Sequence, residues 1–226
     1  MIVPDKIIRS NRRSLTISIL KDGNVVVKAP LKMKEEDINR FVFSKQDWIK
    51  SKLSAVTTTL AKFEDIINYE KALIYGTKYD ITLSSNCKKI MLTDGCELVF
   101  PTKIAPEKRL KHLKNWYKKF AKSILATRLE LLASNYGLKF SAFKITDTKG
   151  KWGSCNTRGL ICINFRVIML PPFIIDYILT HELCHLIEMN HSRKFWINVL
   201  NFYPQTKKAK TTLKEYGFLL DLYRNL

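Results

Sequence analysis

The chain has little that would take it out of water or lock it with cross-links. No apolar run approaches the ~20 residues a helix needs to cross a bilayer, which excludes a helical membrane protein. Residues Met1-Ile2-Val3-Pro4-Asp5-Lys6 lack the apolar core of a secretory signal. The five cysteines, Cys87, Cys96, Cys155, Cys162 and Cys184, are odd in number and scattered, with no Cys-x-x-Cys pair. That usage suits reduced thiols in a reducing compartment, so the expected location is the cytoplasm. There are no internal repeats and no low-complexity linker. Acidic residues are few: 20 Asp and Glu stand against 39 Lys and Arg, a formal net charge of +19. Histidine is scarcer still, with four in the chain, and their placement carries most of the functional information.

What is present describes a folded globular protein. A chain of 226 residues, 46% hydrophobic and 11% aromatic, can bury a substantial core as one domain, or as one domain with a lobe. Leu15 to Pro30 reads as a β-hairpin: Leu15, Ile17 and Ile19 alternate, Asp22-Gly23 turns, and Val25 and Val27 alternate back. Met33 to Leu60 is expected to be helical, with Ile38, Phe41, Trp48, Ile49 and Leu53 on one face. Short strands are expected from Tyr79 to Phe100, with a turn at Asp94-Gly95. A long helix from about Pro106 to Tyr136 follows, with an apolar face of Leu110, Leu113, Tyr117, Phe120, Ile124 and Leu131, ended by Gly137. Then come a strand through Phe143 and Ile145, the segment Trp152-Gly153-Ser154-Cys155, a turn near Asn156-Thr157-Arg158-Gly159 and a strand from Leu160 to Phe165. Pro101 and Pro106 mark a modest boundary. It separates a β-rich N-terminal part with one helical segment, residues 1–105, from an α+β catalytic part, residues 106–226.

Three of the four histidines fall in one stretch, His181-Glu182-Leu183-Cys184-His185 followed by His191. Residues four apart lie on one helix face, roughly 6 Å apart along the axis. His181 and His185 can therefore share one tetrahedral metal ion through imidazole nitrogens. Glu182 leans to the side of that pair, where it can reach a metal-bound water without taking a coordination position. This is the His-Glu-x-x-His arrangement of zinc hydrolases. Paired histidines also occur on ordinary helices. The third histidine argues against that reading, because a catalytic zinc site wants three protein ligands and one open position. The flanks support a helix. Pro171-Pro172 suits a first turn, and Ile174, Ile175, Ile178, Leu179, Leu183, Leu186 and Ile187 make the helix apolar nearly all round, hence internal. Met189-Asn190 can end it and return His191 to the metal, and Ser192 can cap the next helix. Cys184 turns away from His185 and reads as a small buried apolar residue.

The chemistry that follows is metal-assisted hydrolysis. One zinc ion per chain would lower the pKa of its bound water to around 7 and polarise the scissile carbonyl. Glu182 would take the water's proton and deliver it to the leaving group. Asp176, Tyr177 and Glu188 lie near the ligands by helical spacing and could orient an imidazole, although each also reads as an ordinary polar residue at the pocket edge. Glu188 competes with His191 as third ligand, the imidazole being the better choice. Leu160-Ile161-Cys162-Ile163-Asn164 reads either as an edge strand that aligns an extended substrate by backbone pairing or as a plain core strand. Lys151, Ser154 and Asn164 are the polar groups expected to face the cleft and touch substrate.

The basic excess attracts polyanions by a sequence-independent electrostatic effect. Lys111, Lys114, Lys118 and Lys122 form a stripe on the long helix, and Lys207, Lys208, Lys210 and Lys214 a second cluster. A solvated surface and a nucleic-acid or nucleotide surface are both open readings of these lysines.

The residues resemble the YgjP-like metallopeptidase family and, more distantly, SprT-like and WLM-type zinc metalloproteases. The resemblance runs through Lys151-Trp152-Gly153-Ser154-Cys155, Ile163-Asn164, Asp176-Tyr177-Ile178, His181-Glu182-Leu183-Cys184-His185, Asn190-His191-Ser192 and Phe195-Trp196. Arg12-Arg13 through Lys28-Ala29-Pro30 also fit it. It implies an α+β fold with a zincin-like catalytic domain, an active-site helix and an antiparallel sheet. It also implies a zinc site of His181, His185 and His191 with Glu182 as general base, acting on protein or peptide substrates. The interval from His181 to His191 equals that of metzincin ligands, but Glu188 replaces their turn glycine and no methionine follows Met189; the chain is not a metzincin. Two alternatives stand beside the peptidase. One is a metal-dependent nucleotide phosphohydrolase acting on a nucleoside triphosphate. The other is a nucleic-acid-binding module with a structural zinc, for which His112 is the one remaining histidine.

Overall fold

The structure is a computed structural model that describes residues 2–224. It begins with three strands, β1 (Lys6–Ser10), β2 (Thr16–Ile19) and β3 (Val25–Pro30). The Asp22-Gly23 turn brings β3 back antiparallel to β2, pairing Ile17 with Val27, and β1 joins β3 in parallel. All five residues of β1 are exposed, so its sequence carries no alternation to announce it. Val25, Val27 and Ala29 bury against Ile38, Val42 and Ile49, each large aliphatic side chain contributing about 1.5–3 kcal/mol. The expected helical span is two helices, α1 (Glu35–Ser44) and α2 (Gln46–Lys62), because Lys45 leaves the helical region at φ −111°, ψ 11°. That break resets the helical phase. Ile38 and Ile49 are buried as the spacing predicts, whereas Trp48 is 45% exposed.

The chain divides into two units between Glu64 and Asp65. After the short α3 (Glu64–Ile67), β4 (Lys71–Ile74), β5 (Thr77–Ser84), β6 (Met91–Leu92) and β7 (Glu97–Pro101) form a sheet in the order β4-β5-β7-β6. Its central pair is parallel and its outer pairs antiparallel. The long α4 (Pro106–Asn135) leads to a second sheet of β8 (Ala142–Thr146), β9 (Gly153–Cys155) and β10 (Leu160–Asn164), in the order β8-β10-β9. Here β9 pairs antiparallel with β10, while β8 runs parallel to it. A 3-10 turn, Phe165–Met169, precedes α5 (Pro172–Cys184), α6 (Arg193–Phe202) and α7 (Thr206–Leu213).

The division lies upstream of the boundary that Pro101 and Pro106 suggest. Strands β4 to β7 are tied to the elements around α5. The amides of Tyr75 and Gly76 donate to Ile168 and Met169 carbonyls at 2.9 Å each. The buried Tyr117 hydroxyl of α4 accepts from the Leu73 amide at 3.0 Å and donates to the Leu73 carbonyl at 3.2 Å. The prolines mark only the passage from β7 into α4.

The buried face of α4 runs through Leu113, Tyr117, Ala121, Leu125, Leu129 and Leu132, while Leu131 is 48% exposed. The expected face follows the bulkier Phe120, Ile124 and Leu131; the small Ala121 instead occupies the core side. Lys114 is buried on this face. Its Nζ donates to the Tyr223 carbonyl at 2.7 Å and lies 3.1 Å from an Asp147 oxygen, with Lys118 at 3.0 Å from the same oxygen. Arg166, 1% exposed, completes the cluster, bonding Asp147 at 2.6 Å and the Leu222 carbonyl at 2.8 Å. Leu222 and Tyr223 are thus pinned to the 3-10 turn after β10 and to α4.

Helix α5 starts with Pro172 in its first turn and is apolar nearly all round. Ile174, Leu179, Leu183 and Cys184 are wholly buried, and the helix packs on α4, α6, α7, β9 and β10. It ends at Cys184, earlier than the apolar run implies, with His185 as its C-cap. The Leu186 and Ile187 amides close tight turns on Leu183 and Cys184 carbonyls, at 3.0 and 3.1 Å. Ser192 caps α6 as expected, its hydroxyl accepting the Phe195 amide at 3.3 Å. No helix among the described residues is long and apolar enough to cross a membrane.

Candidate metal centre

Helix α5 supplies His181, its C-cap supplies His185, and the turn before α6 supplies His191. Each offers one donor atom, and these atoms lie within 4.8 Å of one another. The Nε2 atoms of His181 and His191 are 3.0 Å apart. His185 Nδ1 lies 3.2 Å from the Glu188 carbonyl, which orients the ring and leaves Nε2 for a ligand. Phe195 is the floor beneath all three. Its fully buried ring stacks on His185 at 4.5 Å and meets His181 and His191 edge-on at 4.8 Å. The Phe195 amide is the one Ser192 caps, so the hydrogen bond that starts α6 also sets this floor.

Burial, reinforced by the two neighbouring imidazoles and by Lys210, pushes His181 down to about 3. Burial also lowers His185, against the opposing pull of the Glu188 carbonyl. Both are therefore neutral at neutral pH, the form that binds metal. Glu182 is 5% exposed, and burial raises its carboxyl to about 8, with the Lys151 charge working in the other direction. His181 Nδ1 and Glu182 Oε2 are buried with no hydrogen-bond partner among the described residues. Three converging imidazoles beside unpaired buried polar atoms fit a zinc ion, which takes nitrogen donors in this number at catalytic sites.

The remaining expected site residues scatter in role. Tyr177 packs edge-on against His181 with ring centroids 6.1 Å apart, and its phenol is pushed up to about 12 by burial and by Glu182. Glu188 touches His185 through its backbone carbonyl, while its carboxylate accepts the Asn190 amide at 3.4 Å. Asp176 turns to Arg128, in a bidentate pair at 2.7 Å that joins α5 to α4. Lys151 is exposed and near enough to Glu182 to act on its charge. Ser154 is half-buried, opposite Cys162 in the β9–β10 ladder.

One expectation needs correcting. Asn164 does not face a cleft: it is wholly buried and donates to the Thr148 and Lys151 carbonyls at 2.9 and 3.3 Å. Its Oδ1 accepts the Arg166 amide at 3.2 Å. It brackets the loop that carries Lys151. Of the two readings of Leu160–Asn164 the core strand holds: it is the central strand of its sheet, paired on both sides, and β8 and β9 are the outer strands. A parallel partner, β8, arrives from the far side of the turn, which no local pattern discloses.

Three participants escaped the sequence reading. Phe195 and Gly153, whose backbone lies against Glu182, stand in quoted motifs but have no role legible from spacing. Lys210 sits 3.9 Å over the Trp196 ring, which itself stacks on His191; only the folding of α7 onto α5 brings it there. Of the four lysines in the α4 stripe, Lys114 and Lys118 are engaged with Asp147.

Helices over small mixed sheets, with a half-buried three-imidazole cluster at the end of the central helix, define an α+β metalloenzyme. The chain matches the family model described as YgjP-like, metallopeptidase domain, over residues 13–216, and it belongs to that family of metallopeptidases. A comparison with curated proteins gave no match. Among solved structures, it is similar to the metallopeptidase zymogen abylysin of Pyrococcus abyssi. That likeness has 25% identity and a TM-score of 0.37, over 39% of this chain and 90% of that one.

Proposed function

We propose that the chain is a zinc-dependent peptidase in which His181, His185 and His191 hold one zinc ion and Glu182 is the general base. The observation that carries this reading is the pairing of three converging imidazoles with a buried, unpartnered Glu182 carboxylate. Bound there, zinc supplies Lewis-acid polarisation of the scissile carbonyl and makes water a nucleophile near neutral pH. Glu182 takes the proton of the attacking water and passes it to the leaving amine; a carboxyl raised by burial is suited to both tasks. Lys151 moderates that shift and holds the base toward its ionised form. Phe195 keeps the imidazoles rigid. The outer edge of β9 beside α5 offers backbone groups to pair with an extended peptide. The five free thiols support a reducing compartment, and we place the enzyme in the cytoplasm.

The test combines elemental analysis with hydrolysis of an unfolded protein such as reduced casein, for the wild type and Glu182→Gln. The expected result is about one zinc per chain in both proteins and a loss of about 10²–10⁴-fold in turnover for the variant. Absence of bound zinc after zinc is supplied would overturn the proposal. Glu182-dependent phosphate release from nucleoside triphosphates without proteolysis would move the protein to the phosphohydrolases.

A further inference from the structure

His185 forms one wall of a cavity of about 560 Å³ on the surface beside the metal centre. Phe140, Leu186 and Met189 give it an apolar lining, Lys139 and Arg158 supply two cations, and no carboxylate lines it. We propose that this cavity is a specificity pocket for the peptide substrate and receives an acidic side chain, Glu or Asp, paired with Lys139 and Arg158. The inference rests on the peptidase reading above.

The pocket is built before any substrate arrives. Arg158 lies in the turn between β9 and β10, where Asn156 Oδ1 accepts the Arg158 and Leu160 amides at 3.0 Å each. The Ser141 amide donates to the Gly159 carbonyl at 2.9 Å, locking that turn to the segment that carries Lys139 and Phe140. Gly159 permits the approach: at φ +76°, a Cβ there would come within 3.2 Å of the Ser141 nitrogen. A preformed wall spares the substrate the cost of ordering it.

Position and charge then select the occupant. The outer strand β9 runs directly into the turn carrying Arg158, so a peptide laid along β9 passes from the metal centre into the pocket. Because His185 belongs to both, the two are neighbours, within the reach of one or two extended residues at ~3.5 Å each. The apolar lining suits the methylene stem of Glu, and the guanidinium of Arg158 can take its carboxylate in a two-pronged hydrogen bond. The same two cations repel a Lys or Arg side chain, which makes the pocket selective against basic residues as well as for acidic ones.

The test uses zinc-loaded protein and alanine-rich decapeptides that differ at one position, Glu, Gln or Lys, scanned on either side of the cut. Each is prepared with an amidated and with a free C-terminus, so that a terminal carboxylate standing in for the side chain is recognised. At one fixed position, Glu should raise kcat/KM about tenfold over Gln, as expected for a partly exposed charged hydrogen bond. The Lys139→Ala/Arg158→Ala double variant should keep its zinc and treat Glu and Gln alike. Lys122→Ala, which removes a lysine outside the pocket, should keep the preference. In parallel, fluorescein-labelled Glu and Gln peptides are titrated into the Glu182→Gln protein and read by anisotropy. Cleavage without acidic preference overturns the pocket and leaves the peptidase. No cleavage, together with Glu-selective binding that the double variant loses, retains the pocket and overturns the peptidase. Neither cleavage nor selective binding overturns both. A preference that appears only when the C-terminus is left free overturns the side-chain assignment.

Discussion

A Cβ placed on Gly153 would lie 2.6 Å from Oε1 of Glu182 and 2.8 Å from its Cδ and Cγ. The Glu182 side chain is thus pressed directly onto the backbone of β9. Gly153 is required for that close approach, since even a methyl group would occupy the space of the carboxylate. Glu182 in turn cannot drift toward β9, which confines a side chain whose Oε2 has no hydrogen bond of its own among the described residues.

Gly153→Ala should therefore displace the base while sparing the three imidazoles. A shift of about 1 Å at a catalytic group costs about 10²-fold in rate, and overpacking here should cost about 1–3 kcal/mol in stability. Steady-state kinetics beside zinc analysis checks this. A variant with full turnover would show that the contact does not position Glu182.

Zinc removal should lower the melting temperature. A metal that binds the folded chain alone stabilises it by about 2.7 kcal/mol at 100 times its dissociation constant. That corresponds to roughly 5–11 °C for a chain of this size. Calorimetry with zinc and with EDTA should show the difference in the wild type and in Glu182→Gln. His191→Ala should lose most of it, because two imidazoles remain. An unchanged shift in His191→Ala would remove that residue from the ligand set.

How much of this was legible in the sequence depended on range. The His181–His185 spacing, Pro172 in the first turn of α5, the Ser192 cap and the Asp22-Gly23 hairpin are local, and periodicity or capping chemistry announces each. The rest is set by partners far along the chain. Asn164 looked like a cleft residue until Thr148, Lys151 and Arg166 claimed its amide. Lys114 and Lys118 looked like part of a basic stripe, solvated or polyanion-binding, until Asp147 paired with both. β10 is central because β8 pairs with it in parallel on the side away from β9, and parallel pairing leaves no turn signal to read. The antiparallel sheet expected from the family resemblance is accordingly a mixed one.

Asp176 offers a direct separation of scaffold from site. It stands on α5 five residues before His181, yet its carboxylate is taken bidentately by Arg128 of α4. Asp176→Asn should loosen the α4–α5 contact, costing about 1 kcal/mol for a pair this exposed to solvent. Zinc affinity should stay within a few-fold of the wild type, whereas a carboxylate orienting a ligand imidazole costs about 10–100-fold. Zinc titration against a competing chelator, with urea unfolding of the same variant, distinguishes the two.

Asp147 should make stability depend on pH in the acid range, with a sign fixed by its neighbours. Burial alone would raise its carboxyl, but hydrogen bonds from Arg166, Lys118 and Lys114 overcome that and hold it down at about 2. A carboxyl whose pKa is lower folded than unfolded stabilises the protein above the unfolded value, and that stabilisation disappears as pH falls through the folded one. The window therefore runs from about pH 4 down to about pH 2, and because Asp147 is exposed to solvent, which screens these pairs, the contribution above it is about 1 kcal/mol. Urea unfolding of the wild type and Asp147→Asn, both in EDTA so that metal release does not enter, isolates the effect. The wild type should be the more stable by a steady margin at pH 5–6, because the variant leaves the buried Arg166 guanidinium without its counter-charge. The margin should shrink below pH 4 as Asp147 itself takes up a proton. A margin that stays flat to pH 2.5 would mean that the carboxylate charge does not hold Arg166, Lys114 and Lys118 in place.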